Sequence, residues 1–525
     1  MRTKIDKQAK LELLRTLLSQ EGISDGAMLR DRLQVSQPVF SRLMAMLGNE
    51  LLLIGRSRST RYSLIRSLEG IPAAVPIYEV EPQGTTRRVG VLHAVRPSGF
   101  VFESFTDDVP GGYYDDLPFF VDDLRPAGFL GRLVPRQHPD LSLPADIRDW
   151  SAEHNLKYLC RFGWDCVGAF IVGEEAFELF LRHVQNPPDF IDMADRSREY
   201  VKRARNILAH GVPGSSAAGE QPKFLAVRSS DRQPVMVKFV LDPRSVVGQR
   251  RTDMLVAEHV VHQVLQRHNC SVARSELVFG DGGELFLEIE RFDRLGTQGR
   301  RGIISLRVLD NQFVGRLGEW GKTAVALQKS GRIDGKAVYQ IRWLELFGRL
   351  IANSDMHEGN VSFFTRGALC IEVAPAYDML PMFFAARMDD HVGDAMSKPT
   401  QVIGDVQPWT TELFSTNTAD GAGDVQPSVT VPFSTSTAGD AIASRYTTRD
   451  QAATYSVLKS AEDWVPPTPA PIDVDIWPTV LDAALDFWQM VSNHQEISGG
   501  FKEIAQRCGE KLRALENLVA LLPRA

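Results

Sequence analysis

"IANSDMHEGNVSFF", residues 351–364, sets Asn353, Asp355, His357, Glu358 and Asn360 between apolar flanks. "WLELFGRLIA" (343–352) leads in and "VSFF" (361–364) leads out. A carboxylate buried without partners is costly, so such an interruption is either well paired or exposed for chemistry. Asp355 and Asn360 stand in a D-x4-N spacing, and Asp378 in "APAYDML" follows the strand-like "LCIEV" (369–373). Phosphoryl transfer from ATP needs one carboxylate to orient or deprotonate the acceptor hydroxyl and oxygen ligands to hold Mg2+ on the phosphates. Asp355 suits the first role, and Asn360 and Asp378 suit the second. Alone, this spacing arises by chance in many chains.

The residues upstream add to it. "GSSAAGEQPKFLAV" (214–227) is a loop of small residues entering a strand, able to bring backbone N–H groups up to phosphates. Gly219, Gln221 and Lys223 are its ATP-side candidates. "PVMVKFV" (234–240) sets Lys238 inside an apolar strand, where an unpaired ammonium would be costly. Glu258, in the helical "DMLVAEHVVHQVLQRH" (253–268), is its expected partner. "ELFLEIERFDR" (284–294) ends in Glu290, Arg291 and Phe292, where a kinase hinge would hold adenine. His357 reads as a loop-shaping partner beside the nucleotide. Loop, lysine strand, glutamate helix, hinge strand, Asp-x4-Asn loop and metal aspartate follow the part order of a protein kinase, without its usual HRD and DFG spellings.

With "SAAGEQPK", "VKF", "AEH", "EIERFDR", "SDMHEGNVSFF" and "YDMLP" in this order, the chain resembles the HipA family of serine/threonine kinase toxins. "VGVL", the "DDLRP" region and "GWDCVGA" extend the likeness, which covers about 88–390 and the C-terminal helices. The resemblance implies ATP and Mg2+ as cofactors and a protein substrate, such as an aminoacyl-tRNA synthetase. It also implies an antitoxin or regulator partner, and autophosphorylation of Ser216 that flips the phosphate loop out and switches activity off. Two features depart from the family pattern: a basic N-terminal module, and an insertion after the metal aspartate.

That module is distinct in charge. The net charge is −7, yet residues 1–66 hold twelve Lys and Arg against six Asp and Glu, leaving −13 on the rest. Such a balance points to a polyanion partner for the module alone. "KLELLRTLLSQEG" has helical periodicity and stops at Gly22, Ser24 or Asp25 offers the next cap, and "SQPVFSRLMAMLGN" has Ser36, Pro38 and Gly48 at helix-boundary positions. "ELLLIGRSRSTRYSLIR" reads as a hairpin with Arg56, Arg58 and Arg61 around its tip. Three helices and a basic hairpin resemble a winged helix-turn-helix, with Gln37, Ser41 and Arg42 placed for duplex DNA.

The expected fold class is therefore α/β (α+β), a two-lobed HipA-type kinase behind an N-terminal winged helix. The expected divisions are 1–68 for the DNA-binding module, 69–86 for a linker, 87–289 for the N-terminal kinase lobe and 290–525 for the C-terminal lobe. A low-complexity insertion is expected at about 395–470, where "GDVQPWTTELFSTNTADGA" (404–422) is repeated in altered form at 423–441. Five scattered cysteines without a CxxC pair suggest a reducing compartment. No run of ~18 apolar residues is long enough for a membrane span. The expectation is a cytoplasmic protein. Rival readings are a DNA-binding regulator with a nucleotide-sensing body, and a small-molecule kinase.

Overall fold

Apolar periodicity of 3.6 at Leu11, Leu14 and Leu18 builds the first helix, α1 (Arg2–Glu21), in a computed structural model of the chain. It describes residues 2–55, 59–187, 190–210, 221–315, 318–386, 458–468 and 473–516. The described residues within Met1–Ala385 and Lys459–Ala525 form one compact unit, which is the one considered below. Helix α1 stops where Gly22 adopts a φ of 72°, a left-handed conformation that costs glycine little. Asp25, in strand β1 (Ser24–Asp25), caps α2 (Gly26–Leu33) by accepting from the N–H groups of Ala27 and Met28. Helix α3 (Gln37–Leu47) follows, and then strands β2 (Leu51–Ile54) and β3 (Arg61–Leu64) pair antiparallel, with β1 on the far side of β3. Leu14, Leu18, Leu29, Phe40, Leu43 and Leu47 form this module's core.

Residues 69–86 are not a linker throughout, because strand β4 (Val75–Val80) lies within them. Its "VPIYEV" is almost wholly buried between β5 (Thr86–Ala94) and β8 (Phe170–Val172). The Pro and Ala residues around it hid a strand that is interior to its sheet. With β6 (Phe100–Ser104) and β7 (Gly112–Tyr114), these strands make a five-stranded sheet in the order β7-β6-β5-β4-β8. Helices α4 (Gly128–Gln137), α5 (Ala152–Phe162), α6 (Glu174–Gln185) and α7 (Arg196–His210) complete this part of the chain.

The second large sheet, in the order β11-β12-β10-β9, is wholly antiparallel. It consists of β9 (Lys223–Val227), β10 (Pro234–Val240), β11 (Ser275–Phe279) and β12 (Leu285–Glu290), and α8 (Val246–Arg267) packs against it. Val235, Val237 and Phe239 face one apolar cluster with Tyr200 of α7, while Val240, Leu285, Leu287 and Ile289 join the main core with α8. This period of two decides which polar groups share a face.

A short hairpin, β13 (Arg294–Leu295) and β14 (Gly299–Arg300), leads to β15 (Gly302–Ser305), α9 (Leu306–Phe313), α10 (Trp320–Lys329) and α11 (Gly335–Leu350). Strands β16 (Ser362–Arg366) and β17 (Leu369–Val373) pair after β15, and α12 (Trp477–Asn493) and α13 (Gly499–Arg513) close the core. The insertion expected at about 395–470 ends earlier. Residues 387–457 lie outside the described residues, whereas Ala461 and Trp464 are buried in the core, and their carbonyls accept from Lys511 Nζ at 2.7 Å. Among the described residues, no helix is long and apolar enough to cross a membrane.

Candidate active site

Lys238 sits in the middle of β10, opposite Leu287 of β12 and Lys223 of β9, and is 4% exposed. Its Nζ donates to both oxygens of Glu258 on α8, at 2.7 and 2.9 Å, and to Oδ1 of Asp378. Burial alone would discharge the ammonium, but the Asp378 and Glu258 carboxylates overcome it and raise Lys238 above its ordinary pKa. One ammonium facing two carboxylates divides them. Against partial desolvation, Lys238 and then Lys223 hold the half-exposed Asp378 well below the usual range, while burial holds Glu258 above it. Asp378 occupies a φ of 52°, in the left-handed region that Asp tolerates better than most residues.

The opening stretch forms the loop between α11 and β16. Asp355 is exposed, and its N–H donates to Asn353 Oδ1 at 3.0 Å. Asn360 is buried, and its Nδ2 donates to the Asp355 carbonyl at 2.9 Å, which leaves Oδ1 as an acceptor without a partner among the described residues. Tyr377, next to Asp378, donates to the Gly359 carbonyl and shares a hydrogen bond with Ser362 Oγ, both at 2.7 Å. This phenol stitches the Asp378 segment to the Asn360 loop. Sequence reasoning passed over it, although its place beside Asp378 was a signal. Glu358 is structural here: it is buried, accepts from Thr323 Oγ1 at 2.7 Å, and has a pKa raised by burial.

Phe292 packs on Tyr377 and Phe364, with ring centroids 5.7 and 6.0 Å apart. Lys223 shares Lys238's face of the sheet, and Gln221 Nε2 donates to the Phe239 carbonyl at 2.7 Å. His357 is exposed and contributes its backbone carbonyl, which accepts from Asn360 N at 3.0 Å. Glu290 departs from expectation. It lies on the same face of β12 as Glu288, opposite to the face that carries Leu287 and Lys238, and its carboxylate accepts from Arg228 at 2.6 Å. Only its backbone could serve as a hinge. Arg228 and Arg196 also bind Glu288, so this face is an ion-pair cluster that the sequence did not announce. Ser216 and Gly219 lie outside the described residues.

For Mg2+, the donor set fits. Among the described residues no three His, Cys, Asp or Glu converge as a ready metal site. Mg2+ takes one or two protein oxygens and fills the rest of its shell with phosphate and water, and Asp378 with Asn360 Oδ1 supplies such oxygens. Neither of two surface cavities is this centre. One, of about 460 Å3, is lined by Arg267, Lys336, Tyr339 and Trp343, and the other, of about 490 Å3, by His259, His262, Gln263 and Arg274.

On the N-terminal module, Gln37, Ser41 and Arg42 share the exposed face of α3, where Gln37 Nε2 donates to Ser41 Oγ at 3.4 Å and Arg42 Nε to the Pro38 carbonyl at 3.2 Å. Arg61 is exposed at the start of β3, whereas Arg56 and Arg58 lie outside the described residues.

Two family models match the chain, "YjjJ-like toxin, middle domain" over residues 71–181 and "HipA-like C-terminal domain" over 215–424. Among solved structures, HipA from the Shewanella oneidensis MR-1 toxin–antitoxin complex with HipB and operator DNA aligns with a TM-score of 0.44 at 14% identity, covering 84% of this chain and 96% of that one. The Helicobacter pylori proinflammatory kinase CtkA aligns with a TM-score of 0.32 at 14% identity, covering 57% and 92%. Toxin YjjJ of Escherichia coli (strain K12) is 31% identical over 508 residues, which are 96% of this chain and 98% of that protein. With that identity sustained over nearly the whole of both proteins, the chain belongs to the YjjJ-like family of HipA-type toxins.

Proposed function

We propose that the chain is a Ser/Thr protein kinase, transferring the γ-phosphoryl group of ATP to a hydroxyl of a protein target, a translation-related protein being the family's suggestion. The observation that carries this reading is the Lys238 ammonium, buried in a strand, bidentate to Glu258 and paired with Asp378. Kinase chemistry calls for such a lysine on the α- and β-phosphates and a helix glutamate to anchor it. Asp355, exposed at its loop, would take the acceptor proton on its carboxylate. Asp378 and Asn360 Oδ1 would hold Mg2+, which when bound neutralises phosphate charge. Phe292 and the backbone from Glu290 onward would receive adenine, with Gly219, Gln221 and Lys223 on the phosphates. Ser216 is proposed as the self-modification site, and an antitoxin or regulator as a further partner.

The exposed polar face of α3, above the basic balance of residues 1–66, supports a second element of the proposal: the module is a winged helix that binds duplex DNA. Incubating the purified chain with labelled ATP, Mg2+ and cell lysate tests turnover and identifies the acceptor together. Absence of any labelled protein, with DNA binding retained and altered by nucleotide, would favour a regulator with a nucleotide-sensing body. Label on a small molecule alone would favour a small-molecule kinase.

A further inference from the structure

Beside Glu258 on α8 begins a chain of hydrogen bonds among side chains that the proposed chemistry does not use. Gln263 Nε2 lies 2.9 Å from His259 Nε2, His259 Nδ1 lies 2.9 Å from Ser275 Oγ, and His262 Nδ1 lies 2.8 Å from the same hydroxyl. The direction of the chain follows from counting protons. The amide nitrogen of Gln263 can only donate, so His259 Nε2 accepts and the neutral imidazole carries its hydrogen on Nδ1. That hydrogen goes to Ser275 Oγ. The single hydroxyl hydrogen of Ser275 then goes to His262 Nδ1, which puts the His262 proton on Nε2.

Burial, and then the Lys238 ammonium, push the His262 imidazole down to about 3, so it is neutral at physiological pH. His262 is 4% exposed, and its Nε2 is buried with no partner among the described residues. A buried donor left unpaired is costly. Its placement suggests what it waits for. His262 lies one helical turn beyond Glu258 on α8. Val272 and Ala376 form a parallel bridge, with Ala273 N donating to the Ala376 carbonyl at 3.2 Å and Ala376 N to the Ser271 carbonyl at 2.9 Å. Ser275 and Asp378 thus each follow shortly after this contact, on neighbouring segments running the same way.

We propose that His262 is a positioning residue for Asp378, its Nε2–H held by the Gln263–His259–Ser275 chain as a donor to that carboxylate when it leaves Lys238 to hold Mg2+. The inference rests on the kinase reading above. A neutral donor suits this task, because it orients a metal-bound carboxylate without placing a second cation beside the metal. Outer-shell partners of this kind typically contribute 10–100-fold to metal affinity.

The test is a Mg2+ titration of ATP binding on the full chain, read by calorimetry and thermal shift, alongside labelled phosphoryl transfer. His262→Phe keeps a ring but lacks the N–H, and should raise the Mg2+ requirement about 10–100-fold while ATP binding without Mg2+ stays unchanged. His262→Gln offers an amide N–H at the place of Nε2 and should recover most of the loss. Ser275→Ala, which releases the tautomer, should shift the Mg2+ requirement in the same direction by less. An unmoved Mg2+ requirement in His262→Phe, or His262→Gln as impaired as His262→Phe, would overturn the inference and leave the kinase reading standing. If His262→Phe does not fold, an unmoved requirement in Ser275→Ala overturns it equally. A wild-type chain that binds no Mg-ATP would bring down both.

Discussion

Asp355 and Asp378 are both carboxylates in the candidate site, but their surroundings set them apart. Asp355 is exposed and makes its hydrogen bonds to Asn353 and Asn360 through its backbone, while Asp378 is tied to Lys238. Asp355→Asn should therefore lower phosphoryl transfer by about 10²–10⁴-fold with nucleotide binding nearly intact. Asp378→Ala should weaken Mg-ATP binding itself; calorimetry beside a transfer assay separates the two. Lys238→Met should destabilise the fold by about 3–5 kcal/mol, less whatever Glu258 recovers by taking up a proton. The difference has a pH signature. Asp378, held below its ordinary value, contributes stability that is present above about pH 4 and lost as pH falls further. Lys238, held above its ordinary value, contributes stability that is present below about pH 10.4 and lost as pH climbs beyond it. Glu258 has the opposite sign, since burial penalises its charged form. Melting temperatures of wild type and Lys238→Met should therefore differ most between about pH 5 and 10 and converge toward both ends. At this scale the sequence was informative where a polar residue stood among apolar ones: Lys238 in "VMVKFV", Glu258 in "LVAEHVV" and Asp378 after "PAY" all met in space. Glu290 was misplaced because the face of a strand depends on register, and its register with β10 is set by residues far along the chain.

Elements meet through buried charge as well as apolar packing. The segment from Arg291 to Arg300 is locked to the residues before β8: Asp165 pairs with Arg291 at 3.0 Å and Arg294 at 2.9 Å, and Asp293 pairs with the same two arginines at 3.0 and 2.7 Å. Asp293 also accepts from Gly168 N at 3.0 Å, and despite burial the arginines hold its pKa well below the usual range. Asp293→Asn would leave Arg291 and Arg294 buried with Asp165 alone. It should cost about 3–5 kcal/mol, seen as a lower denaturant midpoint with an unchanged slope. None of this was legible beforehand. "ERFDRLGTQGRRG" looks like an exposed charged turn, and only the arrival of Asp165 and the Gly168 N–H from more than a hundred residues earlier makes burial tolerable. β4 was missed for a milder reason: "GIPAAVPIYEV" opens with turn-forming residues, and its strand begins at Val75.

In the whole molecule, the N-terminal module and the five-stranded sheet are joined along a strand edge. Arg66 N donates to the Ala94 carbonyl at 2.8 Å and Arg96 N to the Leu64 carbonyl at 2.9 Å, while Leu52, Ile54 and Ile65 pack on Val95 and Val101. DNA binding should accordingly be measured on the full chain, since a fragment ending near residue 75 would bare that apolar seam. If Arg61 lies on a phosphate, Arg61→Ala should weaken binding alike on all duplexes and reduce the salt slope of log affinity by about 0.9. Arg42→Ala should cost ~1–3 kcal/mol on a preferred site and little on random DNA if it reads a guanine edge. Equal losses on both would make Arg42 a backbone contact. The seam also bears on what a protease would find. The connection across Glu69, Gly70 and Pro72–Ala74 is exposed and a natural place for a cut, but the strand edge, the apolar contacts and the Arg66–Glu153 ion pair lie to either side of it. A chain nicked there should still migrate as a single species on a native column, and separate into two bands only once denaturant has dissolved the seam.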